Sequence, residues 1–226
     1  MIKIAVDGPS GSGKSTLAKN LSRALGIVYV DTGALYRTIG LYMLREGVNP
    51  TDAAAVAARL GSASVGFDHA DGAQKVYLNG EDVTSLIRTP EVSMAASAVS
   101  SIPAVRARLL SLQRDIAKEH DVVMDGRDIG TVIFPDADVK IFMCSDEATR
   151  SERRFAELSE KGIEITKERV AAELSERDKN DSGRSIAPLV PAEDAVWLDN
   201  STLEPEQTLS VALGIIRGRL AAKERS

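Results

Sequence analysis

The sequence has little of what marks secreted, membrane or zinc-dependent proteins. Its single cysteine, Cys144, excludes an intrachain disulfide, and its two histidines are too few for the usual zinc ligand sets. No apolar run approaches the ~20 residues that span a bilayer. The start, MIKIAVDGPSG, lacks the basic segment and long apolar stretch of a signal peptide. We therefore expect a cytoplasmic protein that binds no membrane.

Aromatic residues and net positive charge are also scarce. Aromatics make up 4% of the 226 residues, so the core must be built mainly from aliphatic side chains. The formal net charge of -5 leaves no large basic footprint for duplex nucleic acid. An anionic partner must therefore be bound by a local cluster of arginine and lysine. With 43% hydrophobic and 27% charged residues, the composition is that of an ordinary globular protein.

Short apolar runs alternate with helical patterns along most of the chain. The runs predict buried strands at 2–7, 27–31, 121–126, 139–144 and 195–199. Apolar spacing predicts helices between them, including one over 166–178 that is followed by a polar loop, DKNDSGRS. This order predicts an α/β, three-layer fold with a central parallel sheet and helices on both faces.

Residues 62–84 interrupt this alternation. Apolar and polar residues alternate there, with turn signals at Asp71-Gly72 and Asn79-Gly80. The pattern predicts a small antiparallel sheet, which we interpret as an insertion into the α/β fold.

The segment GPSGSGKS matches the phosphate-binding pattern GxxxxGK[ST] in full, after a predicted strand and at the start of a predicted helix. Its glycines let backbone N–H groups face phosphate oxygens, aided by the helix N-terminus. Lys14 is expected to reach the β- and γ-phosphates, Ser15 to bind Mg²⁺ and Thr16 to help hold the α-phosphate. The residues assigned to the nucleoside triphosphate are Gly8, Pro9, Ser10, Gly11, Ser12, Gly13, Lys14, Ser15 and Thr16.

A phosphate loop leaves the reaction open. A GTPase switch needs the strings D-x-x-G and N-K-x-D, and neither occurs in this chain. The length disfavours a motor or transporter ATPase. A phosphotransferase for a small substrate is the best remaining class, and a nucleotide-binding module without turnover is the alternative.

Polar and charged residues follow two of the predicted strands. Thr32 and Arg37 follow the second strand, and Arg127 and Asp128 follow the strand that contains Asp125. Ligands bind outside the carboxyl ends of strands in open α/β sheets, and arginine is the side chain suited to clamp a second anion. Asp125 is placed to hold Mg²⁺ directly or through water. Taken alone, Arg37 or Arg127 could equally form a surface ion pair.

Arginines are concentrated between about 150 and 185. Arg153 and Arg154 lie three and four residues after Arg150, so the three share a helical face. Further along the chain follow Arg169, Arg177 and Arg184. In a protein with a phosphate loop, this cluster indicates a helical lid that closes over phosphates and excludes water. The alternative is a solvated helix with interleaved glutamates.

Several stretches together resemble one family, the bacterial-type cytidylate kinases among the P-loop nucleoside monophosphate kinases. They are DGPSGSGKST, DTGALYR, NGEDVTSLIR, AASAVSSIPAVRARLL, DGRDIGTVIFPDADVKIF, ERDKNDSGRSIAPLVPA and DAVWLDNSTL. The insertion at about 62–84 is similar to the β insertion in that family's monophosphate-binding region. The resemblance implies ATP-dependent phosphorylation of CMP and dCMP to CDP and dCDP, with Mg²⁺ as cofactor.

The resemblance also implies roles that spacing alone does not give. The residues it assigns to the acceptor phosphate are Thr32, Arg37, Arg127 and Arg184. Those it assigns to the cytosine edge are Ser97, Arg106 and Asp128, and those it assigns to the ribose are Arg177 and Asp181. The residues expected to act in catalysis are Lys14, Arg153 and Arg184, and those expected to hold the metal are Ser15 and Asp125.

These predictions divide the chain into two regions. A P-loop core would comprise 1–33 and 102–226, including the lid, and a monophosphate-binding region would comprise 34–101. ATP and CMP or dCMP are the expected partners of a monomer that binds no nucleic acid. Kinases for UMP, AMP or shikimate are the alternatives within the same class.

Overall fold

Two sheets and eight α-helices make up the described part of the chain. The computed structural model describes residues 1–70 and 73–225. Its strands are β1 (Lys3–Asp7), β2 (Val28–Asp31), β3 (Val65–Ala70), β4 (Ala73–Leu78), β5 (Glu81–Asp82), β6 (Val122–Gly126), β7 (Val139–Cys144) and β8 (Val196–Asp199). Its α-helices are α1 (Lys14–Leu25), α2 (Thr32–Arg45), α3 (Ala53–Leu60), α4 (Pro90–Val99), α5 (Pro103–Asp115), α6 (Glu147–Glu160), α7 (Lys167–Ser182) and α8 (Pro205–Lys223).

The larger sheet is parallel and has the strand order β2-β6-β1-β7-β8. In its register, Asp31 lies opposite Asp125, and Asp7 lies opposite Gly126. The carboxyl ends of β1, β2 and β6 therefore meet at one edge of the sheet. All the loops that carry predicted site residues after a strand leave from that edge.

Helices cover both faces of this sheet, as the sequence predicts. On one face, Leu21 of α1 and Ile216 of α8 pack with Ile4 and Ile141 of the sheet. The opposite face buries a second cluster around Met124. None of the helices in the described ranges is long and apolar enough to cross a bilayer.

The antiparallel insertion is confirmed as a sheet of order β3-β4-β5. Asn79 and Gly80 have φ values of 51° and 86°, as a type I′ hairpin turn requires. The predicted turn at Asp71-Gly72 lies outside the described residues. The Gln74 side chain accepts a hydrogen bond from the Asp31 amide at 2.7 Å and donates to its carbonyl at 3.3 Å. The insertion is thereby joined to the outer edge of β2.

One predicted boundary is wrong. The expected loop DKNDSGRS is helical through Ser182, because α7 continues past Asp178. Asp181 is buried in this last turn and pairs with Arg127 and Arg184. The long-range pair with Arg127 and the local pair with Arg184 outweigh the weak helix propensity of Asn, Asp and Ser.

The α6–α7 pair forms a helical lid between β7 and β8. Its buried side chains, Leu158, Val170 and Leu174, make a small apolar cluster of their own. Each helix begins at a side-chain cap, Asp146 for α6 and Thr166 for α7. The lid is therefore an ordered unit whose arginines are carried on well-defined helices.

Helices α2 and α4 approach each other closely at Gly40. A methyl group added at Gly40 would lie 2.9 Å from the Ala96 amide nitrogen and 3.2 Å from the Ala95 carbonyl carbon. Since α2 carries Arg37 and α4 carries Ser97, this contact sets the distance between two predicted acceptor-site residues.

We predict that Gly40→Ala destabilises the protein by about 1–3 kcal/mol, because the backbone of α4 must move to accept the methyl group. Gly214→Ala in α8 is the matched control, since an added methyl group there meets nothing within 4 Å. The free energy of unfolding of Gly214→Ala should rise by up to about 1 kcal/mol, because alanine has a higher helix propensity than glycine. Chemical denaturation measures both changes, and a Gly40→Ala protein as stable as wild type contradicts the packing argument.

Candidate active site

A crevice of about 900 Å³ opens at the carboxyl edge of the parallel sheet. Its walls come from the phosphate loop, the loop after β6, the α2 and α4 helices and the lid. The predicted site residues that line it are Ser10, Gly11, Gly13, Lys14, Ser15, Thr16, Thr32, Arg37, Ser97, Arg106, Asp125, Arg127, Asp128, Arg153, Arg177, Asp181 and Arg184. Three members of the predicted triphosphate set, Gly8, Pro9 and Ser12, are absent from this wall.

Gly8 and Gly13 shape the backbone of the phosphate loop. Gly8 has φ 154°, and a methyl group there would lie 2.4 Å from the Met143 carbonyl oxygen. Gly13 has φ 82° and precedes α1, whose first turn receives no side-chain cap from it. Backbone amides at this helix N-terminus are therefore available to an anion, and the helix dipole favours negative charge there.

Lys14 lies buried inside the loop, and its Nζ donates a hydrogen bond to the Pro9 carbonyl at 2.8 Å. Burial and the neighbouring Arg127 guanidinium lower the pKa of Lys14 to about 7. A polyphosphate beside the amine would favour its charged form. An anion bound in the crevice would therefore raise the pKa of Lys14 and keep its amine charged.

Ser15 and Asp125 form an oxygen pair beside the loop. Ser15 Oγ donates to Asp125 Oδ2 at 2.7 Å, and Tyr29 Oη donates to Asp125 Oδ1 at 2.8 Å. A hydroxyl and a carboxylate suit Mg²⁺, which keeps several waters and binds phosphates as further ligands. Among the described residues, no group of three or more acidic, His or Cys side chains could form an all-protein metal site. The pair therefore fits a metal that arrives with a polyphosphate.

Asp31 holds two arginines in the wall of the crevice. Its Oδ2 accepts hydrogen bonds from Arg37 at 2.8 Å and from Arg88 at 3.0 Å, while Oδ1 caps α2 at the Ala34 amide. Burial opposes ionisation of Asp31, but the charges of Arg37 and Arg88 outweigh it and lower its pKa to about 2. Sequence reasoning missed Arg88, which lies in the stretch NGEDVTSLIR without a spacing signal of its own.

Asp181 is the corresponding anchor on the lid side. Its Oδ2 accepts a 2.6 Å hydrogen bond from Arg127 Nε, and its Oδ1 accepts one from Arg184. Burial raises the pKa of Asp181, but Arg127 and Arg184 lower it to about 2 overall. Arg127 also donates to Ser10 Oγ at 2.7 Å, which ties it to the phosphate loop. Arg177 lies nearby, and burial together with Arg127 lowers its pKa to about 10.

A third ion pair, between Arg106 and Asp128, closes the far end of the crevice. Arg106 also donates to the Ser100 carbonyl at 3.2 Å, and its guanidinium lies 5.6 Å from the Tyr36 ring centroid. Burial raises the pKa of Asp128 despite the opposing charge of Arg106. The Ser97 hydroxyl is buried beside them without a hydrogen-bond partner in the described residues.

The lid arginines have different surroundings. Arg153 lines the crevice, and its Nη2 donates to the Asn200 carbonyl at 2.8 Å. Arg150 is buried and donates to the Ser10 carbonyl and to Asp178, whose other oxygen accepts from the Ser10 amide. Arg150 and Arg153 therefore do not lie on a solvated helix face, since α6 and α7 both contact the phosphate loop at Ser10. Arg154, by contrast, forms an ion pair with the interleaved Glu157. Sequence reasoning missed Asp178, whose partners are far away in the chain.

A phosphate loop, an oxygen pair beside it and paired arginines across a crevice define a P-loop phosphotransferase. The fold resembles that of a gluconokinase from Sinorhizobium meliloti 1021, with a TM-score of 0.51 at 16% identity over 99% of this chain and 95% of that one. Such low identity shows the fold alone.

Residues 4–217 match the family model described as cytidylate kinase. A protein named cytidylate kinase from Caldicellulosiruptor bescii is 46% identical over 94% of both chains. One from Fervidobacterium nodosum is 44% identical over 98% of this chain and 99% of its own. The chain belongs to the cytidylate kinase family.

The depressed pKa of Asp181 predicts how stability depends on pH. Because the folded pKa of about 2 lies below the ordinary 3.8, the stabilisation is complete above pH about 4 and is lost as the pH falls toward 2. Asp181→Asn should lower the free energy of unfolding by about 2 kcal/mol at pH 7. In this variant the free energy of unfolding should also fall less steeply between about pH 4 and pH 2 than in the wild type. Urea unfolding at several pH values measures both effects.

Asp115→Asn is the control, because the Asp115–Lys118 pair is exposed. It should leave the whole pH profile unchanged. If the free energy of unfolding of Asp181→Asn falls below pH 4 as steeply as that of the wild type, the assignment of this stability to Asp181 is wrong.

Proposed function

We propose that the protein transfers the γ-phosphoryl group of ATP to CMP and dCMP, giving CDP and dCDP, as a cytoplasmic enzyme of pyrimidine metabolism. The observation that supports this best is the pairing of a phosphate loop with carboxylate-held arginines across one crevice. Such a crevice suits two phosphate groups that must approach each other. Phosphoryl transfer demands little else, since positioning and charge stabilisation supply most of the catalysis.

The donor triphosphate is assigned to the phosphate loop. Backbone amides from Gly11 to Thr16 would surround its oxygens, and Lys14 would contact the β- and γ-phosphates. Ser15 and Asp125 would hold Mg²⁺, and Asp125 could do so directly or through water. When bound, Mg²⁺ would neutralise part of the phosphate charge.

The acceptor phosphate is assigned to Arg37 and Arg127, with Thr32 and Arg184 beside them. Arg37 is oriented by Asp31, and Arg127 and Arg184 are oriented by Asp181. Since these side chains are held before an anion arrives, little conformational entropy is lost when it binds. A general base is unnecessary, because the second pKa of a phosphate monoester is near 6 and its oxygen is already anionic at neutral pH.

The cytosine is assigned to Ser97, Arg106 and Asp128. Cytosine offers an amino group at N4 and acceptors at N3 and O2, so a carboxylate can accept from the amine while arginine donates to the ring. Uracil carries an oxygen where cytosine has the amine, and this oxygen would face the carboxylate unfavourably. The ribose is assigned to Arg177 and Asp181 in the last turns of α7.

We assign the neutralisation of negative charge on the transferred phosphoryl group to Lys14, Arg153 and Arg184. Arg153 would exchange the Asn200 carbonyl for a phosphate oxygen, a change of partner that a closing lid can produce. We further propose a monomer that binds no nucleic acid, divided into the P-loop core of 1–33 and 102–226 and the monophosphate-binding region of 34–101.

A substrate panel tests the proposed reaction. We predict ADP release with ATP, Mg²⁺ and either CMP or dCMP, and much slower release with UMP or AMP, because the latter two lack the cytosine pattern of donors and acceptors. A coupled assay measures all four rates. Equal rates on AMP and CMP remove the cytosine assignment, whereas ATP binding without transfer to any small acceptor favours a binding module.

Replacement of Asp128 tests the base-reading assignment. Asp128→Asn should raise the KM for CMP about tenfold or more, since a buried charge-assisted hydrogen bond is lost. The KM for ATP should stay nearly constant. The asparagine amide can donate to the uracil oxygen, so the preference for CMP over UMP should also narrow. Asp115→Asn is the surface control, and an unchanged KM for CMP in Asp128→Asn excludes the assignment.

A further inference from the structure

Asp7 is a buried carboxylate that the proposed reaction does not use. It ends β1 and immediately precedes Gly8, the first residue of the phosphate loop. Only 5% of its surface is exposed. Its Oδ1 accepts a hydrogen bond from the Ile129 amide and its Oδ2 accepts one from the Gly130 amide, each at 2.8 Å. Both carboxylate oxygens therefore bind backbone from the neighbouring strand's loop.

The two amides belong to the segment that carries the acceptor side of the crevice. After β6, the chain passes through Arg127 and Asp128 and then forms a π-helical turn over Ile129–Ile133. The i→i+5 hydrogen bond of such a turn is rare in proteins and is often found at functional sites. Asp7 binds the first two amides of this turn, directly after Asp128.

Close packing leaves this segment little room to move around Asp7. A methyl group added at Gly130 would lie 3.1 Å from Lys140 Cδ and 3.4 Å from Asp7 Oδ2. One added at Gly126 would lie 2.6 Å from Ile129 Cδ1. The position of the carboxylate therefore fixes the position of the turn and of the residues just before it.

Burying the Asp7 carboxylate costs desolvation free energy. Burial raises the pKa of Asp7 to about 7, although the amides of Gly130 and Ile129 favour the ionised form. An isosteric neutral side chain would avoid the desolvation of a charge. Asparagine, however, can accept only one of the two N–H groups, because its Nδ2 is itself a donor.

We propose that Asp7 is a positioning residue for the acceptor, which holds Arg127 and Asp128 at a fixed place relative to the phosphate loop. This inference rests on the proposed function, since it concerns how the acceptor nucleotide is bound. Asp7 and Gly8 are consecutive, so one short stretch of backbone sets the geometry of both halves of the crevice. Asp7 acts through the turn and touches neither nucleotide.

Asp7→Asn tests this role with almost no change in side-chain volume. In this variant one of the two hydrogen bonds is lost, because the asparagine Nδ2 then faces a backbone N–H. The turn over Ile129–Ile133 should therefore shift away from β1. We expect the KM for CMP to rise about tenfold, while the KM for ATP changes less than about twofold. Gly130→Ala keeps the carboxylate and displaces the turn sterically. It should therefore also raise the KM for CMP more than the KM for ATP, but by a smaller factor.

Asp121→Asn is the matched control. Asp121 Oδ1 also accepts a hydrogen bond from a β1-side amide, that of Ile2 at 2.6 Å, but at the opposite end of the strand. Its loss should leave the KM values for both nucleotides unchanged. A purely structural role for Asp7 would instead lower thermal stability or kcat without separating the two KM values, and that result overturns the proposal.

Amide hydrogen exchange of the wild-type protein supplies a test that does not depend on the variants folding. The Ile129 and Gly130 amides should exchange slowly, and rapid exchange of both overturns the proposal. A wild-type enzyme that phosphorylates CMP, paired with an Asp7→Asn variant of unchanged KM for CMP, contradicts this inference alone. A wild-type protein that transfers nothing to CMP contradicts the proposed function itself.

Discussion

Buried carboxylates that hold arginines in place are the interaction on which the crevice depends. Two phosphates repel each other, and the cations that offset this repulsion also repel each other when they are gathered in one cavity. Asp31 and Asp181 resolve both problems, since each binds two guanidinium groups and fixes their direction. Their low pKa values show how strongly the arginines favour the ionised carboxylates.

The fold brings these pairs together from distant parts of the chain. The parallel register places the ends of β1, β2 and β6 side by side, so Asp31 and Arg127 emerge at the same edge. The lid contributes Asp181 and Arg184 from the end of α7 and contacts the phosphate loop through Arg150 and Asp178 at Ser10. The lid and the phosphate loop therefore share hydrogen bonds at Ser10.

Local patterns in the sequence were sufficient for the strands, most helices, the insertion and the phosphate loop. Buried parallel strands are nearly all apolar, and the loop's residues act through a short, contiguous motif. The pairing of Asp181 with Arg127 joins residues far apart in the chain, and no periodicity reveals it. For the same reason the end of α7 was placed too early, and Arg88 and Asp178 were missed. The turn after Asp128 donates two hydrogen bonds to the buried Asp7, 122 and 123 residues earlier in the chain, and a local pattern does not reveal this contact either.

The most direct test of the central claim is a crystal structure with ADP, Mg²⁺ and CMP bound together. The account predicts the CMP phosphate between the guanidinium groups of Arg37 and Arg127, facing the β-phosphate held by the loop amides. Both arginines should keep their hydrogen bonds to Asp31 and Asp181. A CMP phosphate bound elsewhere, with these two arginines still turned only toward their carboxylates, would contradict the account.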